Sequence, residues 1–243
     1  MCARQNFKAT PSGAEQVRMS CAGCVPCSEI FEPVAVDCLM VKFIFDLDGT
    51  VTAQETLPLI ADFFGVQDEI KELTRETIAG NVPFVESFIR RVHILGKLPV
   101  DEVAALLGKV TLYQKVVDFI HAHAEDCIIA TGNLDCWVTH LAERVSSRFY
   151  CSGGRIENNR ITKLTSILKK EKVVSYYKNM GAITVFIGDG NNDIEAMRQA
   201  DVSIATGMTH WPAPGVLSIA DYLVFSEEAL CRQLNQLLSV AQA

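Results

Sequence analysis

Five short apolar runs punctuate the chain, and the stretches between them constrain the fold more than any other feature. Val41–Phe45, Cys127–Ala130, Ile183–Ile187, Val202–Ala205 and Tyr222–Phe225 are each strand-sized. Leu134–Val145, Ile167–Asn179, Asn192–Ala200 and Glu227–Ala241 carry helical periodicity instead. Strands alternating with helices of this length run parallel, and a parallel sheet needs helices over both faces. The expected class is α/β, with a parallel sheet at the centre of three layers.

One interval breaks the alternation. Between Ala53 and Leu112 there is no strand pattern, only amphipathic helical stretches. In Gln67–Ala79, Ile70, Leu73 and Ile78 share a face opposite Asp68, Glu69, Lys71, Glu72, Arg75 and Glu76. Gly80-Asn81-Val82-Pro83 breaks that helix, and Phe84–Ile94 and Asp101–Leu107 follow. Residues 54–112 are therefore read as a small helical cap inserted into a core made of 40–53 and 113–243. Near Cys151–Lys163, Ser152-Gly153-Gly154 and Glu157-Asn158-Asn159-Arg160 predict a hairpin excursion.

Composition narrows the class of partner. A net charge of −7 with no cluster of Lys and Arg argues against nucleic acid, whose phosphate backbone is gripped by such clusters. No apolar run approaches the roughly 18 residues that a bilayer crossing takes, which argues against a membrane span. The expectation is a monomer or homodimer acting on a small molecule.

Five of the nine cysteines fall at or before Cys38, and no uninterrupted apolar core of a secretory signal precedes Met40. The protein is accordingly expected in the reducing cytoplasm, with Cys127, Cys136, Cys151 and Cys231 as buried small apolar residues. Residues 1–39 are read as a poorly ordered extension or as sequence upstream of a start at Met40. A thiolate metal site through Cys21, Cys24 and Cys27, with Cys38 further on, is the alternative.

The chemistry-bearing residues lie where the apolar runs stop. Asp46 and Asp48 follow the first run, Thr131-Gly132 the second, and Asp189-Gly190-Asn191-Asn192-Asp193 the third. Ligands of open parallel sheets bind at the carboxyl ends of strands. Carboxylates converging there repel unless a cation offsets them, and an all-oxygen set suits a hard ion such as Mg²⁺. A single Asp-Gly is ordinarily a turn; two acidic sites, each closing an apolar strand, are harder to dismiss that way. His121 and His123, two apart on a helix, point to different faces, whereas His210 and Trp211 could line the site or only pack a loop.

Phe45-Asp46-Leu47-Asp48-Gly49-Thr50-Val51-Thr52, Thr131-Gly132, Lys169–Lys172 and Gly188-Asp189-Gly190-Asn191-Asn192-Asp193 resemble, in order, the four motifs of the haloacid dehalogenase-like superfamily. That resemblance implies a Rossmann-like core and a phosphatase working through a phosphoaspartyl enzyme. It makes Asp46 the nucleophile and Asp48 the general acid and base. Mg²⁺ would be held by Asp46, the Asp48 backbone carbonyl and Asp189, with Asp193 in support. Thr131 and Gly132 would meet the phosphoryl group, as would Asn192. Lys170 would neutralise developing charge, with Lys169 as the other candidate.

The stretch from Asp46 through Arg91 further resembles the phosphoserine phosphatase family. The resemblance implies that Glu55, nine positions after Asp46, meets a substrate ammonium, that Arg91 grips a carboxylate, and that Phe84 lines the pocket. Physical sense agrees, because a planar guanidinium binds a carboxylate bidentately. Two departures stand out: Thr131-Gly132-Asn133 replaces Ser-Gly-Gly, and Glu171 replaces the glycine beside the lysine. The expected substrate is phosphoserine or a similar phosphorylated amino acid. Phosphohomoserine, a sugar phosphate or a nucleotide are the alternatives, followed by phosphotransfer and by a non-enzymatic Mg²⁺-binding phosphoacceptor domain.

Overall fold

A computed structural model describes residues 40–78 and 81–241, with the backbone alone at 78, 84 and 241. The alternative thiolate site at Cys21, Cys24, Cys27 and Cys38 lies outside the described residues, as does the side chain of Phe84.

Seven strands form one sheet: β1 (Val41–Phe45), β2 (Cys127–Leu134), β3 (Phe149–Glu157), β4 (Arg160–Ser166), β5 (Ile183–Gly188), β6 (Val202–Thr206) and β7 (Tyr222–Val224), in the order β4-β3-β2-β1-β5-β6-β7. All neighbours pair in parallel except β3 with β4. The expected α/β class is borne out. The central strands are buried on both faces, which explains their near-continuous apolar runs. Phe43, Phe45, Ile129, Val185 and Ile187 face one side, and Ile44, Ile128, Ala130 and Phe186 the other.

Helices cover each face. On the first lie α5 (Gln114–Ala122), α6 (Asp135–Glu143) and α10 (Glu227–Ala241), where Phe119 meets Phe43 edge-on at 5.6 Å between ring centroids. On the second lie α7 (Lys170–Asn179) and α8 (Ile194–Gln199), with the short α9 (Pro214–Leu217). Between β1 and β2 the chain forms four more helices, α1 (Thr56–Phe63), α2 (Gln67–Ile78), α3 (Phe84–Leu95) and α4 (Val100–Leu107). Ile60, Ile70, Phe88, Val92 and Leu95 bury their apolar stripes in the first core cluster. Among the described residues no helix is long and apolar enough to cross a membrane.

Several expectations need correction. β2 does not stop at Ala130 but runs on to Leu134 through a register irregularity, so Thr131 and Gly132 sit within the strand and α6 begins one residue later than expected. Pairing with β3 holds the polar residues extended: Leu134 pairs with Ser152, whose Oγ donates to the Gly132 carbonyl at 2.7 Å. α7 begins at Lys170, with Lys169 extended in front of it. The hairpin is longer than expected and forms the edge of the main sheet. Only Cys127 of the four described cysteines is fully buried; Cys136, Cys151 and Cys231 are half-buried.

Candidate active site

β1 ends at Phe45, and the backbone N–H of the next residue, Asp46, donates to the Ile187 carbonyl of β5 at 2.8 Å. That bond fixes the carboxylate at the centre of the carboxyl edge. Asp46 is buried, and its Oδ1 accepts from the Leu47 N–H at 2.8 Å and from Lys170 Nζ at 2.5 Å. Lys170 reaches Asp193 Oδ1 as well, at 2.6 Å. An ammonium taken out of water is costly unless paired, and here two buried carboxylates hold it. Burial works against the lysine's charge, but Asp193 and Asp46 outweigh it and raise its pKa. For Asp46 burial dominates, and together with the Asp193 charge it lifts the carboxyl well above the usual range against the pull of Lys170.

After β5 the chain turns sharply. Asp193 Oδ2 accepts from the N–H groups of Asp189 and Gly190 at 3.1 and 2.9 Å, clamping the turn. A Cβ on Gly188 would lie 2.5 Å from that oxygen, so only glycine fits beneath it. Asp189 Oδ1 accepts from Thr50 Oγ1 at 3.1 Å, and burial pushes its carboxyl up to about 6. Gly49, at φ +72°, provides the matching close approach: a Cβ there would meet Glu55 Oε1 at 2.7 Å and Asp189 Oδ2 at 3.1 Å.

Asp48 is held from both sides. Thr56 donates to its Oδ1 through the hydroxyl and through the backbone N–H at 3.3 Å, while Thr131 Oγ1 donates to Oδ2 at 3.1 Å. Burial and the Glu55 charge raise its pKa, and the threonine bonds oppose them.

Asp46, Asp189 and Asp193 each offer a carboxylate oxygen, and these atoms lie within 4.8 Å of one another, all from buried residues. Crowded acids with only oxygen donors fit a hard divalent cation such as Mg²⁺. Both Asp193 oxygens already serve Lys170 and the turn, which suits that residue to support rather than to direct ligation.

The family model for haloacid dehalogenase-like hydrolases matches residues 43–198, a span that holds all of these groups. The chain belongs to the haloacid dehalogenase-like hydrolases. Among relatives, it is similar to the phosphoserine phosphatase of Methanocaldococcus jannaschii, 25% identical over 175 residues that cover 67% of this chain and 83% of that protein. It is also similar to that of Halobacterium salinarum, 27% identical over 206 residues covering 79% and 95%. A solved phosphoserine phosphatase carrying a phospho-aspartyl intermediate analogue superposes with a TM-score of 0.69 at 22% identity, covering 80% of this chain and 99% of that one.

Within this hydrolase the expected site residues are distributed unevenly. Asp46, Asp48, Thr131, Lys170, Asp189 and Asp193 come together at the carboxyl edge, and Lys169 is exposed. Gly132 follows Thr131, with open space where a Cβ would be. Asn192 lies in a turn of 3-10 helix, Asn191–Asp193, beside Gly190. Glu55 precedes α1. Arg91 is half-buried on α3: its Nη2 donates to Thr74 Oγ1 at 3.1 Å, and its Nε is buried without a hydrogen-bond partner. Burial lowers the Arg91 pKa while the Glu55 charge works to raise it.

Three further residues join the site. His210 Nε2 lies 2.8 Å from Glu55 Oε1 and 2.9 Å from Asp189 Oδ2, which brings His210 to the site, whereas Trp211 packs on Phe225 with ring centroids 5.3 Å apart. The bonds of His210 to Asp189 and Glu55 lift its pKa to about 11. Thr56 and Asn133 are buried behind Asp48, with Asn133 Nδ2 donating to Thr56 Oγ1 at 2.6 Å. For Thr56 and Asn133 the only signals in the sequence were the position of Thr56 beside Glu55 and the departure of Asn133 from glycine.

Proposed function

We propose that this protein hydrolyses a small phosphomonoester with Mg²⁺, through a phosphoaspartyl enzyme. It is a phosphomonoesterase of the haloacid dehalogenase-like hydrolases, and the substrate class best supported is phosphoserine or a similar phosphorylated amino acid. The observation that carries the reading is the buried pairing of Asp46 with Lys170 beside Asp189 and Asp193.

A carboxylate attacks a dianionic phosphate only where positive groups offset the repulsion. Lys170 supplies a fixed charge next to Asp46. Asp46, the Asp48 backbone carbonyl and Asp189 would hold Mg²⁺, with Asp193 in support; the bound ion supplies charge neutralisation at the phosphoryl oxygens. Asp48, kept beside the nucleophile by Thr56 and Thr131, protonates the leaving oxygen and then deprotonates the attacking water. Thr131, Gly132 and Asn192 border the phosphoryl position. Arg91, with its buried unpartnered Nε, would take the substrate carboxylate and Glu55 its ammonium.

One observation favours a second reading. Glu55 Oε1 is already engaged by His210, so a phosphomonoester without an ammonium, such as a sugar phosphate, would leave that contact undisturbed.

Phosphate release with Mg²⁺ from phosphoserine, phosphothreonine, phosphohomoserine, sugar phosphates and nucleotides tests both. Preference for the amino-acid esters supports the first reading and preference for sugar phosphates the second. Release from none would overturn the phosphatase assignment.

A further inference from the structure

We propose that Asn133 is a positioning residue that fixes the direction of the hydrogen bonds on Asp48, so that Asp48 carries its transferable proton on Oδ2. The proposal rests on the reading of Asp48 as general acid and base given above.

The hydrogen-bond donors around Asp48 fix the direction of each bond. A backbone N–H can only donate, and the Leu134 N–H faces Asn133 Oδ1 at 2.9 Å. That settles which end of the amide is oxygen and leaves Nδ2 facing Thr56 Oγ1 at 2.6 Å. Because Nδ2 donates, the Thr56 hydroxyl accepts there, and its single proton goes to its other partner, Asp48 Oδ1. The same logic applies on the other side. The Asn133 backbone N–H donates to Thr131 Oγ1 at 3.1 Å, so the Thr131 hydroxyl turns its proton to Asp48 Oδ2, also at 3.1 Å.

One residue thus orients two threonines through two N–H groups. Asp48 Oδ1 then accepts twice from Thr56, through the hydroxyl and the N–H, which uses both of its lone pairs. Oδ2 accepts once, from Thr131, and keeps one lone pair. That lone pair is where a proton can sit without breaking the network. Asn133 and Thr56 are both buried, so water does not compete for these positions.

The two chemical steps then balance. In the first, an Asp46 oxygen bonds to phosphorus, the phosphorus–ester oxygen bond breaks, and the Oδ2 proton passes to the departing oxygen to give the alcohol. In the second, a water oxygen bonds to phosphorus, the bond to Asp46 breaks, and one water proton returns to Asp48 Oδ2 as phosphate leaves.

A poor leaving group needs that proton and a good one does not, which gives a test that a merely structural role would not pass. In Mg²⁺, kcat/KM is measured for an alkyl phosphate and for p-nitrophenyl phosphate with the wild type, Asn133→Ala, Thr56→Val, Thr56→Ser and the Asn133→Ala/Thr56→Val double variant. General acid catalysis is worth roughly 10²–10⁴ in rate. Asn133→Ala, which misdirects that proton without removing it, is expected to lose at least about tenfold more on the alkyl ester than on the aryl ester, below the full value of general acid catalysis. Thr56→Val should show the same selective loss and the double variant no more than Thr56→Val alone, since one chain is being cut twice. Thr56→Ser, which keeps the hydroxyl, should restore the ratio. Equal losses on both esters, or additive losses in the double variant, would overturn the proposal. If Asn133→Ala does not fold, as thermal unfolding would show, the ester ratio of Thr56→Val against Thr56→Ser decides in the same way. A wild type inactive on both esters would instead overturn the phosphatase reading, and the proposal with it.

Discussion

Lys170 and Asp193 form an ion pair at 2.6 Å with side-chain exposures of 2% and 0%, and the same ammonium touches Asp46. A buried pair of this kind adds little net stability over an apolar pair, but removing one partner strands the other. The first helical residue of α7 is thereby tied to the turn after β5.

Lys170→Met is accordingly expected to cost about 3–5 kcal/mol of stability and to lower turnover by roughly 10²–10³, through the uncompensated Asp193 and the lost charge beside Asp46. Lys169→Met, at an exposed position before the helix, should change stability by no more than about 0.5 kcal/mol. Denaturant unfolding and phosphate release on the two variants check this; equal effects would contradict the assignment of Lys170.

Gly49→Ala tests the close approach at the first turn. The left-handed backbone alone costs roughly 1–2 kcal/mol for an alanine, and the new methyl would press on Glu55 Oε1 and Asp189 Oδ2. The expected outcome is a folded, less stable protein needing more Mg²⁺ for half-maximal activity, read by titrating the metal. An unchanged metal requirement would show that Asp189 is not held by that contact.

Arg91→Met should raise KM for phosphoserine at least tenfold more than for p-nitrophenyl phosphate, which has no carboxylate. A charge-assisted bidentate contact is worth on the order of 2–3 kcal/mol. Equal changes for the two esters would leave Arg91 a role only in packing α3 against α2 through Thr74.

Asp201 gives a pH prediction away from the site. Burial raises its pKa, but Lys178 and the Thr184 N–H and hydroxyl, at 2.7, 2.9 and 2.9 Å, more than offset this and hold it below the ordinary 3.8. A carboxyl depressed on folding stabilises the protein above its unfolded pKa, and that stability is lost as pH falls through the folded value. Asp201→Asn should cost about 1 kcal/mol near neutrality. The gap to wild type should narrow below about pH 4, as thermal melts across that range would show.

Sequence pattern reached the sheet and its acidic edge because both depend on short-range chemistry: apolar runs make strands, and Asp-Gly turns end them. Asp46, Asp48 and Asp189 follow directly. It could not reach what depends on pairing between distant segments. Thr131-Gly132 read as lying past the end of the second strand and Leu134 as the start of a helix, yet pairing with β3 keeps residues 131–134 extended and turns Asn133 towards Thr56. His210 is one of five histidines in the chain, and only the fold of the loop after β6 brings it to Glu55 and Asp189. Lys170 differs from Lys169 by a single residue, and the start of α7 decides which of them faces inward.

Asp46 is proposed to be the nucleophile whose carboxylate oxygen takes the phosphoryl group. Rapid quenching of enzyme mixed with a ³²P-labelled phosphomonoester and Mg²⁺, followed by peptide mapping, measures this directly. The account predicts acid-stable, base-labile label on the peptide carrying Asp46, and neither label nor turnover in Asp46→Asn. Label on another residue, or wild-type turnover in Asp46→Asn, would contradict it.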